Sequence, residues 1–127
     1  MQQHEDNTIT IKEADVRLEE SSVYCHLQSK ALACSPLTDN DWREIERLVK
    51  DTLPGFYTLI VSGQYAFHQE GRRLCFLLRL HVGLKEAAAL MGVSQPKVSK
   101  LSRKILLRVF QEEGSGKELT KRLEYIL

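Results

Sequence analysis

The stretch from Ser94 to Arg108, SQPKVSKLSRKILLR, carries Lys97, Lys100, Arg103, Lys104 and Arg108 and not one acid. A helix lying on a solvated surface ordinarily mixes signs, because a glutamate ahead of a lysine adds local support. Forgoing that support leaves a surface suited to a polyanion. Gln95, Pro96, Ser99, Lys100 and Arg103 fall opposite the apolar Val98, Leu101 and Ile105, so they are the candidates to reach base edges, with Pro96 able to touch a thymine methyl. Lys97, Lys104 and Arg108, with Ser94 and the amides of the helix start, are the candidates for phosphate contact. Lys85, a little upstream, is placed similarly. Arg72 and Arg73 are lesser candidates, since either could pair with an acid of the N-terminal half.

Those residues need a support, and the sequence supplies one. Leu84 to Met91 reads as a short helix, Gly92-Val93-Ser94 as a turn, and Gln95 to about Gln111 as a longer helix capped by Ser94, with Pro96 in its first turn. That is the layout of a helix-turn-helix. Ala88 falls where the two helices approach and only a small side chain fits, Gly92 can take a positive φ, and Val98 and Leu101 pin the second helix. Leu84, Ala88, Gly92, Val98 and Leu101 at these intervals say more than any one of them.

The segment LLRLHVGLKEAAALMGVSQPKVSKLSRKILLRVF resembles the helix-turn-helix of bacterial transcription regulators, of the region-four type of sigma factors and of response-regulator output domains. More broadly, LTDNDWREIERLVKDTLPGFYTLI and the tail EEGSGKEL are similar to the C-terminal portion of regulators that carry tetratricopeptide repeats upstream, a likeness running over roughly residues 18 to 125. The chain has no such repeats itself. The resemblance implies a sequence-specific double-stranded DNA binder acting in transcription, with the helix from Gln95 in the major groove. It also implies two further partners, a second copy of the chain and RNA polymerase.

The remaining elements are helical by pattern, so the expected fold is an all-α helical bundle. Thr8 to Ile11 reads as a short strand or a disordered arm. A first helix is expected over Leu18 to Ala33, with Val23, Leu27 and Leu32 on one side, ending before Pro36. Thr38 should cap an amphipathic helix through Trp42, Ile45, Leu48, Val49 and Leu53. A short helix over Phe56 to Val61 should stop at Ser62-Gly63. A largely buried helix should run from Gln69 to Gly83. Gly114-Ser115-Gly116 reads as a flexible hinge before a small terminal helix, Lys117 to Leu127. The expected division is an arm and acidic helix over 1–36 and a helix-turn-helix domain with C-terminal helix over 37–127. Trp42, Tyr24, Phe56, Phe67, Phe76 and Phe110 read as core.

Composition narrows the classes. The 127 residues are 43% apolar and 28% charged, which suits one globular domain or one domain with a tail. The net charge of +1 hides an asymmetry: residues 1–51 hold 11 acids against 6 bases, and residues 52–127 hold 6 acids against 12 bases. No apolar run reaches the roughly 18 residues of a membrane span, and the opening MQQHEDNTIT has neither the basic nor the apolar part of a secretory signal. A cytoplasmic location with no membrane contact is the default expectation.

Cys25, Cys34 and Cys75 offer no disulfide framework, and Cys25, His26 and Cys34 together are three zinc ligands with no fourth nearby. His68 and His81 lack a nucleophile and an orienting carboxylate at recognisable spacing, and the glycines near Ser115 lack the lysine and strand of a phosphate loop. No enzymatic activity, metal or cofactor is therefore expected. The rival reading, from another class, is a protein-interaction or dimerisation module. It would use the acidic helices and the exposed-looking end, Leu119 to Leu127, with the helix-turn-helix as scaffold. A third arrangement has the acidic half cover the basic face until a signal releases it.

Overall fold

A computed structural model describes residues 10–62 and 67–127, and within them the chain is all helical, with eight helices and no strand. The order is α1 (Ile11–Glu19), α2 (Ser22–Leu32), α3 (Asp39–Thr52), α4 (Pro54–Val61), α5 (Gln69–Arg79), α6 (Leu84–Met91), α7 (Gln95–Phe110) and α8 (Gly116–Leu123). Their buried side chains form one cluster, to which α1 and α2 contribute Ala14, Leu18 and Leu27.

The N-terminal part departs from the sequence reading. Thr10 opens α1 through a capping box with Glu13, so Thr10 and Ile11 begin a helix and not a strand. Thr8 and Ile9 lie outside the described residues. The expected single helix is broken at Ser21, whose hydroxyl donates to the Leu18 carbonyl (3.0 Å) and accepts from the Tyr24 amide (3.0 Å). A serine that finds backbone partners on both sides stops one helix and caps the next. Leu32, expected inside, is 88% exposed. It sits five residues beyond the buried Leu27, which at about 100° per residue turns it away from the core, whereas Ala31 stays on the Leu27 side. Tyr24 is only partly buried and stands outside the core cluster.

Thr38 caps α3 with Asp41 in a second capping box, and α3 buries Trp42, Ile45 and Val49. Pro54 then starts α4 at the position where its missing N–H costs nothing. Phe56 meets the Phe76 ring edge-on at 6.4 Å and Tyr57 stacks parallel to it at 6.4 Å, so the α3–α4 pair clasps α5 through aromatics.

At the centre, every residue of α5 from Leu74 to Arg79 is buried, as is Leu80 after it. The helix ends four residues before Gly83, because His81 takes the left-handed conformation (φ 65°) usually left to glycine. The His81 amide then reaches the Leu78 carbonyl and the Val82 amide the Leu77 carbonyl, each at 3.0 Å. Gly83, freed from ending α5, instead precedes α6 as its N-cap.

The C-terminal corner is also tighter than expected. Ser115 caps α8 with Glu118, and Gly116 is buried so closely that a Cβ there would lie 2.6 Å from Leu84 Cδ2. Residues 114–116 are therefore a packed corner and not a hinge. Leu119 and Leu123 are buried, with α8 lying against α5 and α7, so the apolar side of the terminal helix is used within the chain.

Candidate nucleic-acid interface

Two small-residue choices set the angle between α6 and α7. Ala87 and Ala88 are buried, and Gly92 takes φ 69°. That conformation lets the Gly92 amide reach the Ala89 carbonyl (3.1 Å) and the Val93 amide the Ala88 carbonyl (3.0 Å), closing α6 before the chain turns. The Leu37 amide donates to the Leu90 carbonyl at 2.9 Å, which ties the α2–α3 connection to the same corner.

Ser94 opens α7 by accepting from the Lys97 amide at 3.2 Å, with Pro96 in the first turn. Val98, Ser102, Ile105 and Leu106 are buried, while Leu101, Val109 and Phe110 are partly so. Ser102 is accommodated because its hydroxyl donates to the Val98 carbonyl at 2.8 Å. The helix is thus fixed in rotation by a row of side chains on one side. Everything else on it points outward.

All the base-reading candidates, Gln95, Pro96, Ser99, Lys100 and Arg103, are exposed, and so are the phosphate candidates Lys85, Ser94, Lys97, Lys104 and Arg108. At about 100° per residue, Pro96, Lys100 and Arg103 lie along the middle of the outward side, with Ser99 towards one edge. Lys97, Lys104 and Arg108 lie towards α5, where with Lys100 they line a cleft of about 210 Å³. Gln95 stands apart at the other end of the surface, bordering a groove between α2 and α6 together with Lys85 and Ser94. Leu107, 55% exposed, continues the outward line and was not singled out from sequence, where it reads as one more apolar helix position.

Cations predominate on this side, with Glu70, Glu86 and Glu113 at its borders. Lys97 pairs with Glu70 at 3.0 Å, with both side chains about half exposed. Among the described residues, Lys85, Lys100, Arg103, Lys104 and Arg108 make no ion pair. Several acids are engaged elsewhere: Asp15 with Arg79 (2.8 Å) and His81 (3.2 Å), Asp41 with His26 (2.9 Å) and Lys30 (3.8 Å), Glu44 with Arg47 (3.3 Å), and Glu112 with Arg122. No acid of α1 to α3 pairs with a cation of α7 among the described residues, so the acids of those three helices do not neutralise this side.

Arg72 and Arg73 belong to a different place. They border a cleft between α3 and α5, and the Arg73 guanidinium lies 4.6 Å from the centre of the Trp42 ring, a cation–π contact. The sequence left open that either could pair with an acid of the N-terminal half, but among the described residues the arginine of α5 that does so is a third one. That arginine is Arg79, fully buried, which donates to Asp15 and, through Nε, to the Ile126 carbonyl at 3.0 Å. Its position inside the largely apolar stretch CFLLRLHVGL, residues 75–84, was the available signal. Burial works against the Asp15 charge, yet the hydrogen bonds from Arg79 and His81 outweigh it and hold the carboxyl below its ordinary value.

The cysteines offer no reactive centre on this side. Burial pushes the Cys75 thiol up to about 12, so it stays neutral, while Cys25 and Cys34 are exposed. No group of three or more metal-ligating side chains is found among the described residues. What α7 presents is a set of fixed cations and hydrogen-bond donors. Such a set has the chemistry to bind and position an anion.

Comparison with known proteins finds no matching family model, no matching curated protein and no matching solved structure.

Proposed function

We propose that this protein binds double-stranded DNA sequence-specifically as a bacterial transcription regulator, with α7 as the recognition helix in the major groove. The observation that carries the reading is the outward side of α7: it is exposed, it bears five cations and no acid, and among the described residues only Lys97 is in an ion pair. A helix about 24 Å long, at 1.5 Å per residue, fits a groove about 12 Å wide if it enters by its first turns. Gln95, Pro96, Ser99, Lys100 and Arg103 then face base edges, and Lys85, Ser94, Lys97, Lys104 and Arg108 face the backbone.

Neutralising four to six phosphates supplies most of the affinity, which gives a slope of log K against log salt of about −4 to −5. The regulatory role, contact with RNA polymerase and pairing of two copies on two half-sites follow from the resemblance to sigma and response-regulator helix-turn-helices. Selection of bound fragments from a random duplex pool at physiological salt tests binding and specificity together. Enrichment of a common motif supports the reading, and recovery of an unenriched pool opposes sequence-specific recognition. The alternative, an interaction module on a helix-turn-helix scaffold, is weakened at the terminal helix, whose Leu119 and Leu123 are already buried within the chain.

A further inference from the structure

The cleft between α5 and α7 has a composition that phosphate binding leaves unexplained. Its rim is cationic, with Lys100, Lys104 and Arg108 free of ion pairs and Lys97 held by Glu70. Its floor is apolar: Leu101 and Phe67 are partly buried and Ile105 is buried, beside Gly71, which has no side chain. Gly71 lets the Phe67 ring lie close to α5, since a Cβ there would come within 3.3 Å of that ring. Phosphates of a duplex need cations at the groove rim and gain nothing from an apolar floor beneath them. A ligand that gains from both has carboxylates on one side and large apolar side chains on the other.

We propose that the α5–α7 cleft docks an acidic amphipathic segment of a partner protein, which seats an apolar side chain on Leu101 and Ile105 while its carboxylates meet Lys100, Lys104 and Arg108. Charge complementarity selects the occupant. A neutral apolar segment would leave three cations partly desolvated without partners, and a purely acidic one would leave the floor wet. The proposal does not depend on duplex binding. It adds that the segment and a duplex exclude one another where both bind, because they claim the same cations.

The test uses the full chain and two labelled synthetic helix-forming peptides with identical glutamate and aspartate positions, one carrying leucine and phenylalanine on its other side and the second carrying serine there. Fluorescence anisotropy at physiological salt is expected to show the apolar peptide binding at least about tenfold more tightly, as expected for seating one large apolar side chain. Lys100→Glu combined with Lys104→Glu, two exposed positions that leave the core intact, is expected to abolish that binding with the helical circular dichroism unchanged. Equal binding of both peptides would reduce the cleft to a generic polyanion surface and overturn the proposal. So would binding that survives the double charge reversal, or no binding of either peptide. An added duplex has its own readout, so a failure of DNA binding leaves the peptide result interpretable.

Discussion

Lys97 is the most constrained cation of α7, and its bond to Glu70 separates two kinds of charge on that helix. Removing the acid by Glu70→Gln is expected to free Lys97 and tighten duplex binding severalfold at low salt, with the gain shrinking as salt rises, since both groups are about half exposed. Arg103, unpaired and on the outward line, is assigned to base reading. Arg103→Ala should cost about 1–3 kcal/mol on the preferred site and relax the preference at one base pair, whereas Lys104→Ala should weaken all sequences alike and reduce the salt slope by about one. Quantitative binding to the selected motif and to single-base variants distinguishes the two; uniform loss in Arg103→Ala would move it to the phosphate group. Away from that side, Asp15→Ala removes the carboxylate that pairs with the fully buried Arg79. It should destabilise the fold by about 3 kcal/mol in urea titrations. Because the folded Asp15 carboxyl lies below its ordinary value, the stability it contributes is present above about pH 4 and lost as pH falls through the lowered folded value. Asp15→Asn should therefore flatten the acid limb of stability against pH.

Helix ends decided where the sequence could be read and where it could not. Thr38, Ser94 and Gly92 sit where their chemistry is most useful, and the starts of α3 and α7 and the end of α6 follow from them, whereas Pro54 opens α4 two residues ahead of the expected Phe56. Ser21 and the stop expected at Gly83 misled for a physical reason. A serine inside an apolar repeat is legible as a cap only once its hydroxyl finds the Leu18 carbonyl, and a histidine is an uncommon residue for a left-handed helix end. The same residue types give a test at this scale. Gly92→Ala meets no closer side-chain neighbour than Pro36 at 3.7 Å, so its cost is conformational, about 1–2 kcal/mol from the positive φ, and should appear as a lowered urea midpoint. A neutral effect would mean that the turn between α6 and α7 does not hold that conformation. The outward candidates of α7 were legible because an amphipathic helix with one acid-free side has few ways to sit. Gly71, Phe67 and Glu70 were not, because they approach α7 only through the packing of α5.

Over the molecule as a whole, the sequence divides the charge and the fold keeps it divided. The acids of α1 to α3 lie on their own helices, capping Thr38, meeting Arg79 or pairing with His26, and the cations of α7 are left to face away from the core. A net charge of +1 therefore understates the field on one side of the molecule, and a field of that kind steers a polyanion and responds to salt. The most direct measurement is the affinity of the full chain for the selected duplex over a series of salt concentrations. A straight line of slope about −4 to −5 in log K against log salt is predicted, falling towards −3 in the Lys104→Ala, Arg108→Ala double variant. An affinity indifferent to salt, or a slope that the double variant leaves unchanged, would contradict the assignment of α7 to the duplex.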